Sequence, residues 1–108
     1  MAQDTVKALI LTSIDSADIT EDYEPINPNG TEAACFLLRI VNDSDEPITI
    51  SYDGINDNEF LLSNESLPIP TQTNSQPNAR FALFHKYTKV YVKGSAGTGS
   101  VYLSGYYV

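Results

Sequence analysis

Side chains that act as nucleophiles or bind metals are scarce in this sequence. His85 is the only histidine and Cys35 the only cysteine among 108 residues. Each falls in a segment predicted to be a strand, and Cys35 lies in an apolar run where a buried, unreactive thiol is the usual outcome. A zinc site needs several such ligands, and a Cys–His catalytic pair needs contact in space. We therefore expect no cofactor and no nucleophilic catalysis.

Carboxylates are more abundant, in one cluster from Asp15 to Glu24 and a second from Asp53 to Glu59. Calcium prefers oxygen ligands, and loops of β-sandwiches often bind it, but neither cluster has the alternating pattern of an EF-hand loop. A pair such as Asp53 and Glu59 would hydrolyse glycosides only in a cleft wide enough for a sugar. We interpret both clusters as solvated loops and expect no catalytic residue and no metal site.

Length and composition indicate one small, soluble, β-rich domain. Tyrosine, phenylalanine and β-branched residues are plentiful, whereas stretches rich in Ala, Leu, Lys and Glu are missing. The net charge of −8 repels phosphate backbones, so we expect no nucleic-acid partner. The longest apolar run, residues 33–38, is far shorter than the roughly 20 residues of a membrane helix, so we expect no membrane association. The chain opens without a secretory signal pattern, and we expect synthesis in a cytoplasm.

Apolar and polar residues alternate with a period of two through most of the chain, which predicts about seven to eight short strands and no helix. The predicted strands are a first one with Val6, Ala8, Ile10 and Ile14 on one face, and segments 33–41, 48–53, 60–62, 67–69, 80–85, 86–93 and 100–108. The long polar connection after the first strand can also include a short edge strand near Tyr23. Pro68 and Pro70 indicate an edge position. We predict an all-β fold, a single antiparallel β-sandwich or jelly roll over residues 1–108, in which residues 1–32 can include an extended N-terminal arm.

Two pairs of these segments are predicted to form hairpins. A turn at 42–47, centred on Ser44, would set Ile40 against Ile48 and Leu38 against Ile50 on one apolar face. The segment Gly94–Gly99 is interpreted as the turn of the second hairpin, because glycine accepts positive φ angles. It lacks the Gly-Lys-Ser/Thr ending of a phosphate-binding loop.

The second hairpin contains the candidate binding residues. Centring it between Ala96 and Gly97 pairs Val92 with Val101 on an aliphatic face. The opposite face then becomes a tyrosine ladder of Tyr87, Tyr91, Tyr102 and Tyr106. Such a face suits a protein interface, or a carbohydrate platform built on Tyr91, Tyr102 and Tyr106. Tyrosine also forms strands well, so the ladder can instead stabilise an exposed sheet or lie against the second sheet.

Four phrases of the sequence carry a resemblance to a known class of protein. They are Arg39-Ile40-Val41-Asn42-Asp43, Ile50-Ser51-Tyr52-Asp53-Gly54, Thr73-Asn74-Ser75-Gln76-Pro77-Asn78, and the segment from Val90 to Tyr102. In this order and spacing, the chain from Leu38 onward resembles small virion proteins of tailed bacteriophages. The resemblance does not reach the residues before Ala34.

The resemblance implies a non-enzymatic virion structural protein that is made in the host cytoplasm and located in the virion. The implied role is an auxiliary capsid protein that decorates or cements the phage head, with a head–tail connector or a tail component as alternatives. Its implied partners are other virion proteins, namely major capsid, portal or tail proteins. Such proteins act as homo-oligomers or as multiple copies on a symmetric lattice, and they supply no catalytic residues to transfer to this chain.

Overall fold

The computed structural model of the protein describes residues 5–70 and 84–108. Within these residues there are nine strands and one 3₁₀ turn, Ser16–Asp18. The strands are β1 (Lys7–Ala8), β2 (Thr12–Asp15), β3 (Glu24–Pro25), β4 (Leu37–Ser44), β5 (Ile48–Ser51), β6 (Glu59–Leu61), β7 (Ser66–Pro70), β8 (Tyr91–Gly94) and β9 (Gly99–Tyr107). The predicted loop at 71–78 and most of the predicted strand at 80–85 lie outside the described residues.

The strands form two antiparallel sheets, which confirms the predicted all-β sandwich architecture. The five-stranded sheet, called sheet A, has the order β1–β9–β4–β7, and β2 also pairs with β9. The four-stranded sheet, called sheet B, has the order β3–β8–β5–β6. The three strands contributed by residues 1–32 therefore lie along sheet edges, β1 and β2 beside β9 and β3 beside β8.

The core lies between the two sheets and is built from the alternate residues that face inward. On β4, Leu38 and Ile40 are fully buried, and they are matched on β5 by Ile48 and Ile50. The C-terminal strands contribute in the same way. The remaining buried apolar residues are Ile19, Ile26, Cys35, Leu61, Val90, Val92, Val101 and Leu103. The phase predicted from the alternation is therefore correct on all four central strands.

Both predicted hairpins are wrong, because each pair of segments is divided between the two sheets. β4 pairs with β7 and β9, whereas β5 pairs with β6 and β8. β8 lies in sheet B and β9 in sheet A, so Val92 and Val101 are on facing sheets and are not paired on one ladder. The alternation of apolar residues along a strand shows which side chains face the core. It is the same whether the next strand pairs with the first in a hairpin or packs against it from the opposite sheet.

The segment interpreted as a hairpin turn is a connection between the sheets. Gly97 is closely packed, since a Cβ atom there would lie 2.3 Å from the Asp45 Oδ1 atom unless that side chain moved. Gly99 has a φ angle of +109°, and its Cβ would lie 2.1 Å from the backbone oxygen of Asp43. The glycines therefore allow the chain to cross tightly over the end of β4, which a side chain would prevent.

The edge strands of the two sheets agree only partly with those predicted from the sequence. β3 and β7 are edge strands as predicted, and β7 contains Pro68 and Pro70. The first predicted strand is wrong in its inward face. Val6, Ala8 and Ile10 are exposed, whereas Leu9 packs against the core together with Ile14. A break between β1 and β2 shifts the alternation there, and the sequence gives no sign of this break.

Asn42 forms buried hydrogen bonds at the end of the sandwich where the chain leaves β4 and enters sheet B. Its side chain is fully buried, and its Nδ2 group donates to the Glu46 and Leu62 carbonyl oxygens at 2.9 and 3.1 Å. Its Oδ1 atom accepts from the Ser44 hydroxyl at 2.5 Å. Asn42 therefore joins the β4–β5 connection to the chain after β6, at a position that the alternation assigns to the core.

Replacing Asn42 with alanine should destabilise the fold strongly. The change removes three hydrogen bonds made by a buried side chain, each worth about 0.5–1.5 kcal/mol net, and leaves a cavity, although both carbonyls keep a second donor. We expect the free energy of unfolding in urea to fall by at least about 2 kcal/mol. Ser13→Ala, at an exposed position of β2, is the control and should change it by less than about 0.5 kcal/mol. Equal losses for the two variants would contradict the role of Asn42.

Candidate functional site

Two of the four predicted tyrosines lie on the outer face of sheet A. Tyr102 pairs with Ser13 on one side and Val41 on the other, in the middle of the sheet. Tyr106 lies four residues further along β9, opposite Leu37, and is 39 % exposed. Both side chains point away from the core because their neighbours Val101, Leu103 and Gly105 are buried.

Tyr91 lies on the outer face of the opposite sheet. It pairs with Ser51 of β5 and Pro25 of β3. A Cβ atom at Gly54 would lie 3.3 Å from the Tyr91 ring, so the turn after β5 packs against that ring. Gly54 has a positive φ angle of 77°, a conformation that glycine adopts readily in a turn. The ring also helps to bury Ser51, which is fully shielded from solvent.

Tyr87 lies in a turn before β8, where its backbone adopts the left-handed conformation with φ = 70°. A bulky residue rarely adopts this conformation. It is held there by the Tyr87 N–H, which donates to the Thr31 carbonyl at 2.8 Å, and by Gly30, whose missing side chain leaves room for the Tyr87 backbone. The Tyr87 side chain is nevertheless 63 % exposed. A strained backbone that displays an aromatic ring is a feature found at functional sites.

Tyr87 and Tyr91 border one open depression of about 340 Å³. Its other lining residues are Tyr52, Phe84, His85, Thr88 and Lys89. The Tyr52 and Phe84 rings are 6.4 Å apart between centroids, within the range of favourable aromatic contacts. The Tyr52 hydroxyl is buried without a hydrogen-bond partner among the described residues. Burial raises the pKa of Tyr52 to about 12, and the Glu59 charge adds to the shift.

The predicted four-tyrosine ladder is therefore wrong, and so is the three-tyrosine carbohydrate platform. Tyr102 and Tyr106 face outward from sheet A, whereas Tyr87 and Tyr91 border a depression on the side of sheet B. The predicted ladder required β8 and β9 to pair as a hairpin. They lie in different sheets, so their tyrosines cannot share one face. The aromatic depression also uses Tyr52 and Phe84, which sequence analysis did not connect with the other tyrosines.

A second feature of sheet B joins residues from three segments. The Tyr23 hydroxyl donates to Asp57 Oδ1, and the Lys93 ammonium lies 3.0 Å from the same oxygen. The Lys93 ammonium also lies 4.7 Å from the centre of the Tyr23 ring, in cation–π geometry. Burial raises the pKa of Tyr23 to about 12, with further contributions from the hydrogen bond to Asp57 and from its charge. The same hydrogen bond and Lys93 lower the pKa of Asp57.

One carboxylate of each acidic cluster accepts backbone hydrogen bonds that stabilise a local turn. Asp53 Oδ1 accepts from the backbone N–H groups of Ile55 and Asn56, both at 2.8 Å, and these bonds lower the pKa of the Asp53 carboxyl. Asp15 Oδ1 accepts from the Ala17 N–H at 2.9 Å and begins the 3₁₀ turn. Across residues 5–70 and 84–108, no group of three Asp, Glu, His or Cys side chains is arranged to hold a metal ion.

Cys35 and His85 lie in different environments. Cys35 is fully buried, and burial raises the pKa of its thiol, with a smaller contribution from the Glu32 charge. Its Sγ lies 3.4 Å from the Ala33 carbonyl oxygen. His85 is exposed, and its Nδ1 lies 3.0 Å from the Lys86 carbonyl oxygen. A thiol with a raised pKa is a poor nucleophile, because the reactive form is the thiolate.

Several large apolar side chains point into solvent on and beside β6, the outer edge of sheet B. Ile55, Phe60 and Leu62 are 80 %, 61 % and 53 % exposed. Val6, Ile10 and Leu11 in the N-terminal segment are also more than half exposed. The sequence pattern predicted Phe60 and Leu62 only as strand residues and did not indicate that their side chains are exposed.

The free edges of the two sheets differ in what they offer a further strand. The Asn42 N–H donates to the Glu65 carbonyl at 2.8 Å, just before β7 begins. Since bonding positions alternate along an antiparallel pair, Leu67 and Ile69 bond towards β4 and Pro68 and Pro70 occupy the outward positions. Proline has no N–H to donate, so β7 is protected against pairing with another chain. β6 contains no proline.

Comparison with known proteins identifies a fold and no family. No protein-family model matches the chain, and no curated protein matches it. A solved structure from Bacillus endospore appendages, described as a novel family of disulfide-linked pili, is similar over 99 % of this chain and 91 % of that one. The TM-score is 0.53 and the sequence identity 13 %. At this identity the similarity concerns the fold alone.

No helix in the described part of the chain is long and apolar enough to cross a membrane.

The tyrosine–carboxylate contact predicts an altered titration of Tyr23. The pKa of Tyr23 should be about 12 in the folded protein. Asp57→Asn removes the negative charge that opposes ionisation, so the pKa should fall towards the usual value near 10, although burial keeps it above that value. Two-dimensional NMR of the tyrosine rings as a function of pH measures it.

Glu59→Gln is the matched control for this titration. The Glu59 charge contributes to the raised pKa of Tyr52 and is not among the causes of the Tyr23 shift. We expect the control to leave Tyr23 unchanged. A Tyr23 titration that is identical in wild type and Asp57→Asn would contradict the contact.

Proposed function

We propose that this chain is a non-catalytic structural protein that works as one of many copies in an assembled particle. The observation that carries the proposal is the group of exposed apolar side chains on and beside β6. Ile55, Phe60 and Leu62 are each more than half exposed in the isolated chain. Clustered apolar surface of this kind is typical of sites that another protein covers.

The arrangement of the sheets is consistent with this role. The outer face of sheet A presents Tyr102 and Tyr106, two residues of the type enriched in protein interfaces. The core depends on residues between the sheets, so partners on the outer faces need not disturb the fold. A module with apolar residues exposed beside β6 and tyrosines on sheet A has two candidate contact surfaces, as a repeating assembly requires.

The structural similarity to a pilus protein agrees with a role in assembly, although the covalent chemistry differs. The related structure belongs to pili that are described as disulfide-linked. Here the only cysteine, Cys35, is fully buried. Copies of this chain would therefore associate through non-covalent contacts.

The specific assembly that we propose is the virion of a tailed bacteriophage, with the chain as a decoration or cement protein on the head. A head–tail connector and a tail component are the alternative places in the same particle. This part of the proposal rests on the resemblance of residues 38–102 to small virion proteins. In that role the partners are major capsid, portal or tail proteins, and the protein is located in the virion.

The test is the copy number of the chain in purified particles. Quantitative mass spectrometry of gradient-purified virions should detect it at many copies per particle. Particles assembled with the Phe60→Ser/Leu62→Ser variant should contain several-fold less of the chain, because serine removes the apolar contact. Both positions are exposed, so serine should not disturb the fold.

Val108→Ser is the matched control, since Val108 is an exposed apolar residue at the other end of the chain. It should be incorporated like wild type, and all three proteins should have the same melting temperature. Absence of the wild-type chain from virions would contradict the virion role. Equal incorporation of the double variant would contradict the β6 surface as the contact.

A further inference from the structure

We propose that copies of this chain dock end to end, with an acidic end of one copy against a basic, aromatic end of the next. The inference rests on the proposed multi-copy function and names a contact between the copies. The two surfaces are defined by residues at opposite ends of the sandwich. The acidic end comprises Asp15, Asp18, Asp43, Asp45 and Glu46, and the basic end comprises His85, Lys86, Tyr87 and Lys89.

Three connections converge at the acidic end. The Asp45 N–H donates to the Thr98 carbonyl at 3.1 Å, and the Thr98 N–H donates to Asp45 Oδ1 at 2.8 Å. The Gly97 N–H donates to the Ser16 carbonyl at 3.2 Å, which places the 3₁₀ turn beside them. Segments 15–18, 43–47 and 95–100 together contain five carboxylates and no lysine or arginine. Four of the five carboxylates are exposed.

The basic end lies at the other end of β9. This strand begins at Gly99, beside the acidic end, and its nine residues cover roughly 30 Å before Tyr107. There the Phe36 N–H donates to the Tyr106 carbonyl, and the neighbouring Cys35 forms a bridge with Phe84. The turn that follows Phe84 therefore projects from this end.

Charge and aromatic surface coincide in that turn. The Lys86 ammonium lies 5.0 Å from the centre of the Tyr87 ring, and Lys89 lines the depression together with His85. Lys86 and Lys89, two of the six lysine and arginine residues of the chain, are therefore only three positions apart. Tyr87 is exposed although its backbone conformation favours glycine, so the ring is displayed at a conformational cost.

The net charge of −8 does not prevent this contact. At physiological salt the Debye length is about 8 Å, so charges elsewhere on two docked copies are largely screened. Charges that meet at the contact are opposite in sign and are screened less. Because the two ends are different surfaces, the contact is head-to-tail and repeats, which yields rows of copies rather than closed dimers.

Two charge-reversal variants test the contact. Lys86→Glu/Lys89→Glu makes both ends acidic. Asp18→Lys/Asp43→Lys lowers the charge of the acidic end from −5 to −1 and leaves the Asp45–Thr98 contact in place. Sedimentation velocity at physiological salt should show concentration-dependent self-association of wild type, and roughly tenfold or more weaker association of each variant alone. An equimolar mixture of the two variants should associate again as pairs, because the unchanged acidic end of one variant meets the unchanged basic end of the other.

The matched control compares Lys89→Glu with Arg39→Glu, since each reverses one positive charge and Arg39 is exposed on sheet A. Only Lys89→Glu should weaken association. A monomeric wild type, a variant mixture that stays dissociated, or equal effects of the two single variants would overturn the end-to-end contact. Each of these outcomes leaves the copy number in virions as it is, so failure of this inference is distinguishable from failure of the proposed function.

Discussion

The packing of sheet A against sheet B is the contact on which the rest of the structure depends. Leu38 and Ile40 of one sheet meet Ile48 and Ile50 of the other, and all four are essentially excluded from solvent. Burial of such side chains contributes roughly 1.5–3 kcal/mol each before conformational entropy is subtracted. Because the interior is filled in this way, every residue of the opposite phase on these strands must face outward or lie in a polar cluster.

The sequence was sufficient to predict the architecture, the inward phase of the central strands and the edge position of Pro68 and Pro70. It was insufficient to predict which strands pair. Alternation has the same period in a hairpin and in two strands that face each other across a core, and the short connections at 45–47 and 95–98 suit both arrangements. The position of Asn42 was the available signal. A polar residue in the inward phase, followed by Ser44, indicates a buried polar network where a strand leaves its sheet.

The tyrosines illustrate how the pairing decides the candidate site. Tyr91 and Tyr102 were predicted to lie side by side, and they instead occupy the outer faces of different sheets. The aromatic depression depends on Tyr52 and Phe84, which are brought together by the turn after β5 and the bridge to Cys35. These are contacts over long sequence separations. Residue spacing alone therefore placed the four tyrosines together on one surface, whereas the structure divides them between two.

The sandwich and the surfaces on it require β8 and β9 to lie in different sheets. Cross-strand nuclear Overhauser effects between backbone protons measure this pairing in solution. The structure predicts contacts of Tyr102 with Val41 and of Tyr91 with Ser51. Strong backbone contacts between Tyr91 and Tyr102 would instead indicate a hairpin, and they would contradict both the sandwich pairing and the surfaces derived from it.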